Sequence, residues 1–248
     1  MPATPATTPA RRADAGTIKL TDRHITGLTL LGDQYGAPVD LLAGALGVRE
    51  DRLRGIVSRW RRAGYVATGN LGKGPVWCWL TPAGMRLLGL PYAAREPSVS
   101  RLAHIRAVLA VRLWLQSGEL YRQEKAWWRS ERRIRAAAGG RVGIVHVPDA
   151  EVHWPSLDDS PYAGQVWAIE AELTPKPLAR TAGIMRGMVA RTSDYGPAGT
   201  PSIGPRYAQV VYLTAPAAVS IVTRSIGSLP PELQKRMTAR DLPPGAVR

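Results

Sequence analysis

The spacing of apolar residues changes period several times along the chain, and each change marks an element. After Thr21-Asp22, which offers an N-cap, Ile25, Leu28, Leu30 and Leu31 share one side of a helix that Gly32 and Gly36 bring to an end. A shorter helix is predicted over residues 38–46, closed by Gly47. The clearest stripe lies in residues 49–63, where Leu53, Ile56, Val57 and Trp60 fall at i, i+3, i+4 and i+7, the spacing of a buried helix face. Period two then takes over. Tyr65-Val66-Ala67-Thr68 and Val76-Trp77-Cys78-Trp79-Leu80 read as strands joined by a glycine-tipped turn, and Thr81-Pro82 opens a fourth helix.

Residues 91–97 read as a linker, and a new amphipathic helix is predicted over residues 98–116, with Leu102, Ile105, Leu109 and Leu113 on one side and Gly118 as its stop. A strand is expected somewhere between Leu120 and Trp128, followed by a basic helical turn at Ser130-Glu131-Arg132-Arg133-Ile134-Arg135. Two β-prone segments, residues 144–154 and 165–173, form the arms of a hairpin across a turn-rich stretch. A helix over residues 177–191, a buried strand over 207–213 and a helix over 215–226 complete the pattern. The fold class predicted is α/β, α+β overall, with one domain over residues 18–92 and a second over 98–227. Residues 1–17, rich in Pro, Thr and Ala, read as a disordered arm, and residues 228–248, with repeated prolines, as a flexible tail.

Charge sharpens this picture. Lys and Arg total 33 against 19 Asp and Glu, a net charge of +14, which points to a nucleic-acid partner. Because Phe is absent while Arg, Ala, Gly and Pro abound, compositional bias contributes to that total, and clustering carries more weight than the sum. Arg49, Arg52, Arg54, Arg59 and Arg62 crowd the polar side of the third helix, and Lys73 tips the following turn. Arg132 and Arg133, with Arg129 and Arg135, form a second basic strip that reads either as a phosphate contact or as a solvated helix face. The single cysteine, Cys78, excludes an intrachain disulfide and a cysteine-based zinc site. No apolar run reaches the ~18 residues of a membrane span, and no secretory signal opens the chain, so a cytoplasmic location follows by default.

The candidate chemistry lies in the second half. Asp149, after Pro148, ends up opposite Glu170 and Glu172 if the two β-segments pair, and strand alternation sets both glutamates on one face while Trp167, Ile169, Ala171 and Leu173 take the other. Converging carboxylates are hard oxygen donors suited to Mg²⁺ or Mn²⁺ near a phosphodiester. Lys176, just past the strand, is placed to hold a phosphate oxygen or the attacking water. Glu131 is spaced for an ordinary i,i+4 ion pair with Arg135. By strand parity His153 shares the face of Asp149 and His146 does not, which makes His153 the better ligand of the two; packed histidines are commoner than ligands, and neither joins the site. Trp127-Trp128 reads either as a base-stacking pair or, more commonly, as core. No phosphate-binding glycine loop and no Ser-His-Asp arrangement stands out.

The order of three helices and a hairpin ending in Leu80-Thr81-Pro82-Ala83-Gly84 resembles the winged helix-turn-helix domain of bacterial DNA-binding proteins. That resemblance implies that the third helix enters the major groove of double-stranded DNA and that Lys73 meets a phosphate. Pro148-Asp149 followed by Glu170-Ala171-Glu172 resembles the PD-(D/E)xK nuclease superfamily, whose core is a mixed central sheet flanked by helices; its lysine position is a glutamate here, as in some restriction endonucleases of that superfamily that still cut. The resemblance implies catalytic roles for Asp149, Glu170, Glu172, Lys176 and Glu131, with the first three as metal ligands. Together with Trp128 to Arg132 and His146 to Ala150, these segments resemble the replication-relaxation family of plasmids and integrative elements, which implies a role in replication or mobilisation. Three functions stay open: a Mg²⁺-dependent DNA endonuclease, a non-catalytic DNA-binding regulator whose second domain clamps DNA or forms a homodimer, or an adaptor whose winged helix binds protein.

Overall fold

A computed structural model describes residues 19–138, 146–156, 160–195 and 201–247. The predicted disordered arm and the first two residues of the β-segment expected from Ile144 lie outside the described residues.

In the first half, α1 (Asp22–Asp33), β1 (Ala37–Pro38), α2 (Val39–Ala45), α3 (Glu50–Arg62), β2 (Val66–Gly69), β3 (Trp77–Leu80) and α4 (Pro82–Leu87) surround one core. The stripe of α3 is buried as its spacing requires: Leu53, Ile56, Val57 and Trp60 pack with Leu28, Leu31 and Leu42. Thr81 caps α4 by accepting a hydrogen bond from the Gly84 N–H. β1 was not anticipated, because two residues carry no period; it pairs antiparallel with β3 and makes a three-stranded sheet in the order β1-β3-β2. Gly36 enters it at φ +119°, where a Cβ would lie 2.9 Å from the Cys78 carbonyl oxygen.

The second half holds α5 (Leu102–Ser117), α6 (Glu119–Gln123), β4 (Trp127–Ser130), α7 (Glu131–Ala137), β5 (Ala150–His153), β6 (Val166–Glu172), α8 (Leu178–Val189), β7 (Thr192–Tyr195), β8 (Pro201–Pro205), β9 (Gln209–Thr214), α9 (Pro216–Gly227), α10 (Pro231–Gln234) and β10 (Met237–Asp241). Among the described residues the main sheet has the order β10-β9-β6-β5-β4, with β4, β5 and β6 antiparallel and β6, β9 and β10 parallel. One face, with Ile169, Ala171, Val152 and Leu213, packs against α5; the other, with Ala168, Val210 and Tyr212, packs against Met185 and Met188 of α8 and Val222 of α9. The chain is thus an α+β protein, with a mixed sheet in one half and a small separate sheet in the other.

Two expectations change. Residues 228–248 are not a bare tail: α10 turns the chain and β10 adds a parallel strand beside β9, with Met237 opposite Val210. The prolines that suggested mobility stand at the start of α10 and beyond β10, where the lost N–H is tolerated. The segment between Leu120 and Trp128 is mostly the short helix α6, so the strand begins only at Trp127.

The halves are also joined by more than the linker. Arg132 of α7 is buried, donates to the carbonyls of Gly32 and Ala93, and lies over the rings of Tyr35 (4.5 Å) and Tyr92 (4.3 Å). Arg106 of α5 makes a two-bond fork to Asp40 of α2, at 3.1 and 2.7 Å.

Candidate active site and nucleic-acid interface

The acidic cluster forms where β5 begins and β6 ends. Ala150 pairs with Ile169, so Asp149 stands one residue earlier, beside Glu170. Its two oxygens are both fixed: Oδ2 accepts the Ala171 N–H at 2.8 Å, and Oδ1 lies 2.8 Å from Nε2 of His104 on α5. Glu170 is buried, and its Oε1 lies 2.7 Å from Nε2 of His146. Burial, reinforced by the charge of Asp149, raises the Glu170 carboxyl from 4.5 to about 7. For His104 and His146, burial works against protonation, but the bond to and charge of their carboxylate partners prevail and raise both pKa values. Glu172 shares the face of Glu170, as alternation demands, and accepts an ion pair from Lys176. All three carboxylates surround the Tyr212 hydroxyl, which burial and their negative charge push far up.

The expected convergence is therefore partial. Asp149 and Glu170 stand together, whereas Glu172 is engaged by Lys176. Glu131 reaches Asp149 through the backbone, its N–H donating to the Asp149 carbonyl at 3.0 Å, while its carboxylate binds Arg135 at 2.8 Å and Arg101 at 3.3 Å. A cavity of about 20 Å³, lined in part by Arg101, His104, Glu131 and Asp149, has room for one water. The preference for His153 over His146 is reversed. His146 precedes the strand, where parity does not apply, and it is the one that meets Glu170; His153 bonds Glu151 at 2.9 Å. His104 was missed altogether, because one polar residue on a largely apolar helix carries no signal until the sheet is placed beneath it.

Among the described residues no three His, Cys, Asp or Glu side chains form a group that could hold a metal ion. Asp149 and Glu170 nevertheless supply two adjacent carboxylates that repel each other. That donor set suits Mg²⁺, which commonly takes one or two protein carboxylates and fills its shell with water and substrate phosphate.

The basic residues divide sharply. On α3, Arg52, Arg54, Arg59 and Arg62 are exposed, and Lys73 is exposed in the turn between β2 and β3. Arg49, just before α3, forms an exposed ion pair with Asp51 at 3.3 Å. Arg52 and Arg59 meet Lys19 and Arg23 around a cavity of about 500 Å³ that also reaches His24 and Asp22. Burial, followed by the charge of Arg59, lowers the His24 pKa. Arg132 and Arg133 do not extend this basic surface: Arg132 is the buried strut, and Arg133 binds Asp33 at 2.8 Å. These two α7 residues, with acceptors beside them, became structural, a difference that residue counting does not reveal.

The profile of one family matches residues 22–188, about two thirds of the chain, from the first helix through the acidic cluster. The chain belongs to the replication-relaxation family. Membership ties it to plasmid replication and mobilisation. The replication-relaxation match covers the α3 face and every residue of the acidic cluster; the last strands, β9 and β10, lie beyond it. Among curated proteins and among solved structures nothing matches the chain. No helix of the described residues is long and apolar enough to cross a membrane.

Proposed function

We propose that this replication-relaxation protein is a DNA-binding endonuclease: its first half, a winged helix, docks α3 on duplex DNA, and its second half cuts a nearby phosphodiester at Asp149 and Glu170. The observation that carries the reading is the placing of those two carboxylates side by side on neighbouring strands, where burial first and the Asp149 charge second raise the Glu170 carboxyl to about 7. A buried acid raised by a neighbouring acid is a common mark of a working site. Asp149 and Glu170 are the residues that would hold Mg²⁺ or Mn²⁺, and the ion would offset their repulsion and polarise a phosphoryl group.

The chain's own residues have separate tasks. His104 and the Ala171 N–H orient Asp149 from two sides. His146, 2.7 Å from Glu170, is placed to exchange a proton with it. Lys176, fixed by Glu172 near the strand end, is a cation available to a phosphate oxygen. On the other half, the arginines around the Lys19–Arg59 cavity neutralise backbone phosphates, which sets affinity.

One observation favours a second reading, a non-catalytic clamp: each of the three carboxylates already has a cationic or protonatable partner, in His104, His146 and Lys176. Supercoiled plasmid incubated with the protein and Mg²⁺ or Mn²⁺ separates the two. The endonuclease reading expects nicked or linear product from the wild type and loss of it in Glu170→Ala. Equal product from both, or a footprint without nicking, sinks it in favour of the clamp.

A further inference from the structure

We propose that Trp127 is a stacking platform for an unpaired base of single-stranded DNA on the sheet face that carries the acidic centre. The inference rests on the DNA-binding reading and adds a strand class to it.

Trp127 lies on β4, the outer strand of the main sheet. Alternation turns its neighbour Trp128 into the core, 6% exposed, and leaves Trp127 49% exposed. It is the direct cross-strand partner of His153, and the two rings stack with centroids 4.0 Å apart and planes 16° apart. One face of the indole is therefore covered by an imidazole while about half of the residue remains open to water. A large apolar ring held rigidly with a free face is the geometry on which a nucleobase stacks, whatever its identity.

The surroundings select a polyanion. Arg129, two residues along the same strand, and Arg206 both bind the single carboxylate of Glu151, at 3.3 and 2.6 Å, so two guanidinium charges face one acid. Arg191 stands next in line, donating to the Tyr207 hydroxyl and to the His146 carbonyl. The register links this platform to the centre: Trp127 opposes His153, Arg129 opposes Glu151, Glu151 opposes Ala168, and Glu170 is two residues beyond Ala168 on the same face. A strand whose base rests on Trp127 would lead its phosphates across these arginines toward Glu170.

The test compares a labelled oligothymidine with an abasic oligomer of equal length and charge, by fluorescence anisotropy, alongside a duplex. The wild type should bind oligothymidine roughly ten-fold more tightly than the abasic oligomer. Trp127→Ala should erase that preference and leave duplex affinity and the melting temperature unchanged, the latter showing that the variant is folded; Trp127→Tyr should keep most of it. Equal binding of both oligomers by the wild type, or a preference that survives in Trp127→Ala, would overturn the platform. A wild type that binds no duplex would instead overturn the DNA-binding reading on which it rests.

Discussion

Glu151 and Glu170 occupy neighbouring strands of one sheet and point to the same face, and both are removed from water. Their protons behave in opposite ways. Burial alone would raise either acid, but at Glu151 the bond from His153 and the Arg206 guanidinium outweigh it and bring the pKa to about 2. At Glu170 burial is joined by the charge of Asp149, and the pKa rises to about 7. Glu151 is a saturated ion: its oxygens meet Arg129, Arg206, His153 and the Tyr207 hydroxyl. At Glu170, His146 and Lys176 oppose burial and the Asp149 charge without overcoming them. Both carboxylates are buried; the sign of the neighbouring charge separates their pKa values.

The largest effect expected from this contrast is on folding. Glu151→Ala leaves two guanidiniums and a hydroxyl without their shared acceptor, and we predict a loss of about 3–5 kcal/mol in urea unfolding; a loss under about 1 kcal/mol would mean the network relaxes into water. Arg132→Ala should cost roughly 2–3 kcal/mol, since two carbonyls lose a buried donor, while duplex affinity stays constant. A fall in affinity without a fall in stability would restore Arg132 to the DNA surface.

Stability against pH sharpens the contrast further. Glu151, depressed from 4.5 to about 2, contributes stability that is present above pH 4.5 and lost as the pH falls toward 2. Glu170, raised from 4.5 to about 7, contributes stability that is present below pH 4.5 and lost as the pH rises through 7. Glu170→Gln should therefore flatten the neutral limb and gain on the order of 1 kcal/mol at pH 8, read by thermal melting across the pH range; an unchanged neutral limb would remove the strain assigned to the pair. The smallest effect is electrostatic. Arg59→Ala should leave the melting temperature in place and reduce the salt slope of duplex binding by about one unit, measured by titration at several salt concentrations; an unaltered slope would take Arg59 off the phosphate path.

Much of this was legible in the sequence where period and burial coincide. The α3 stripe, the hairpin after it, and the alternation that sends Ile169 inward and Glu170 to the opposite face all follow from spacing alone. What was not legible depended on the partner. Arg54 and Arg132 are equivalent in a sequence window; only the carbonyls of Gly32 and Ala93, far away along the chain, make one a strut and leave the other exposed. His104 became visible only when α5 was laid over β5. β10 was obscured by flanking prolines, because five residues paired on one edge give too short a pattern to outweigh them.

Arg106 has a reach beyond its ion pair. Besides Asp40, it donates to the Gly245 carbonyl at 3.0 Å, so one side chain ties the early helix α2 and the middle helix α5 to the segment that follows β10. The full set of bonds around this guanidinium therefore forms only once the segment after β10 has been made. A polypeptide interrupted ahead of Met237 would emerge with its sheet one ribbon short and without the carbonyl that steadies the Arg106 guanidinium from behind, while the Arg132 strut would still hold the halves together.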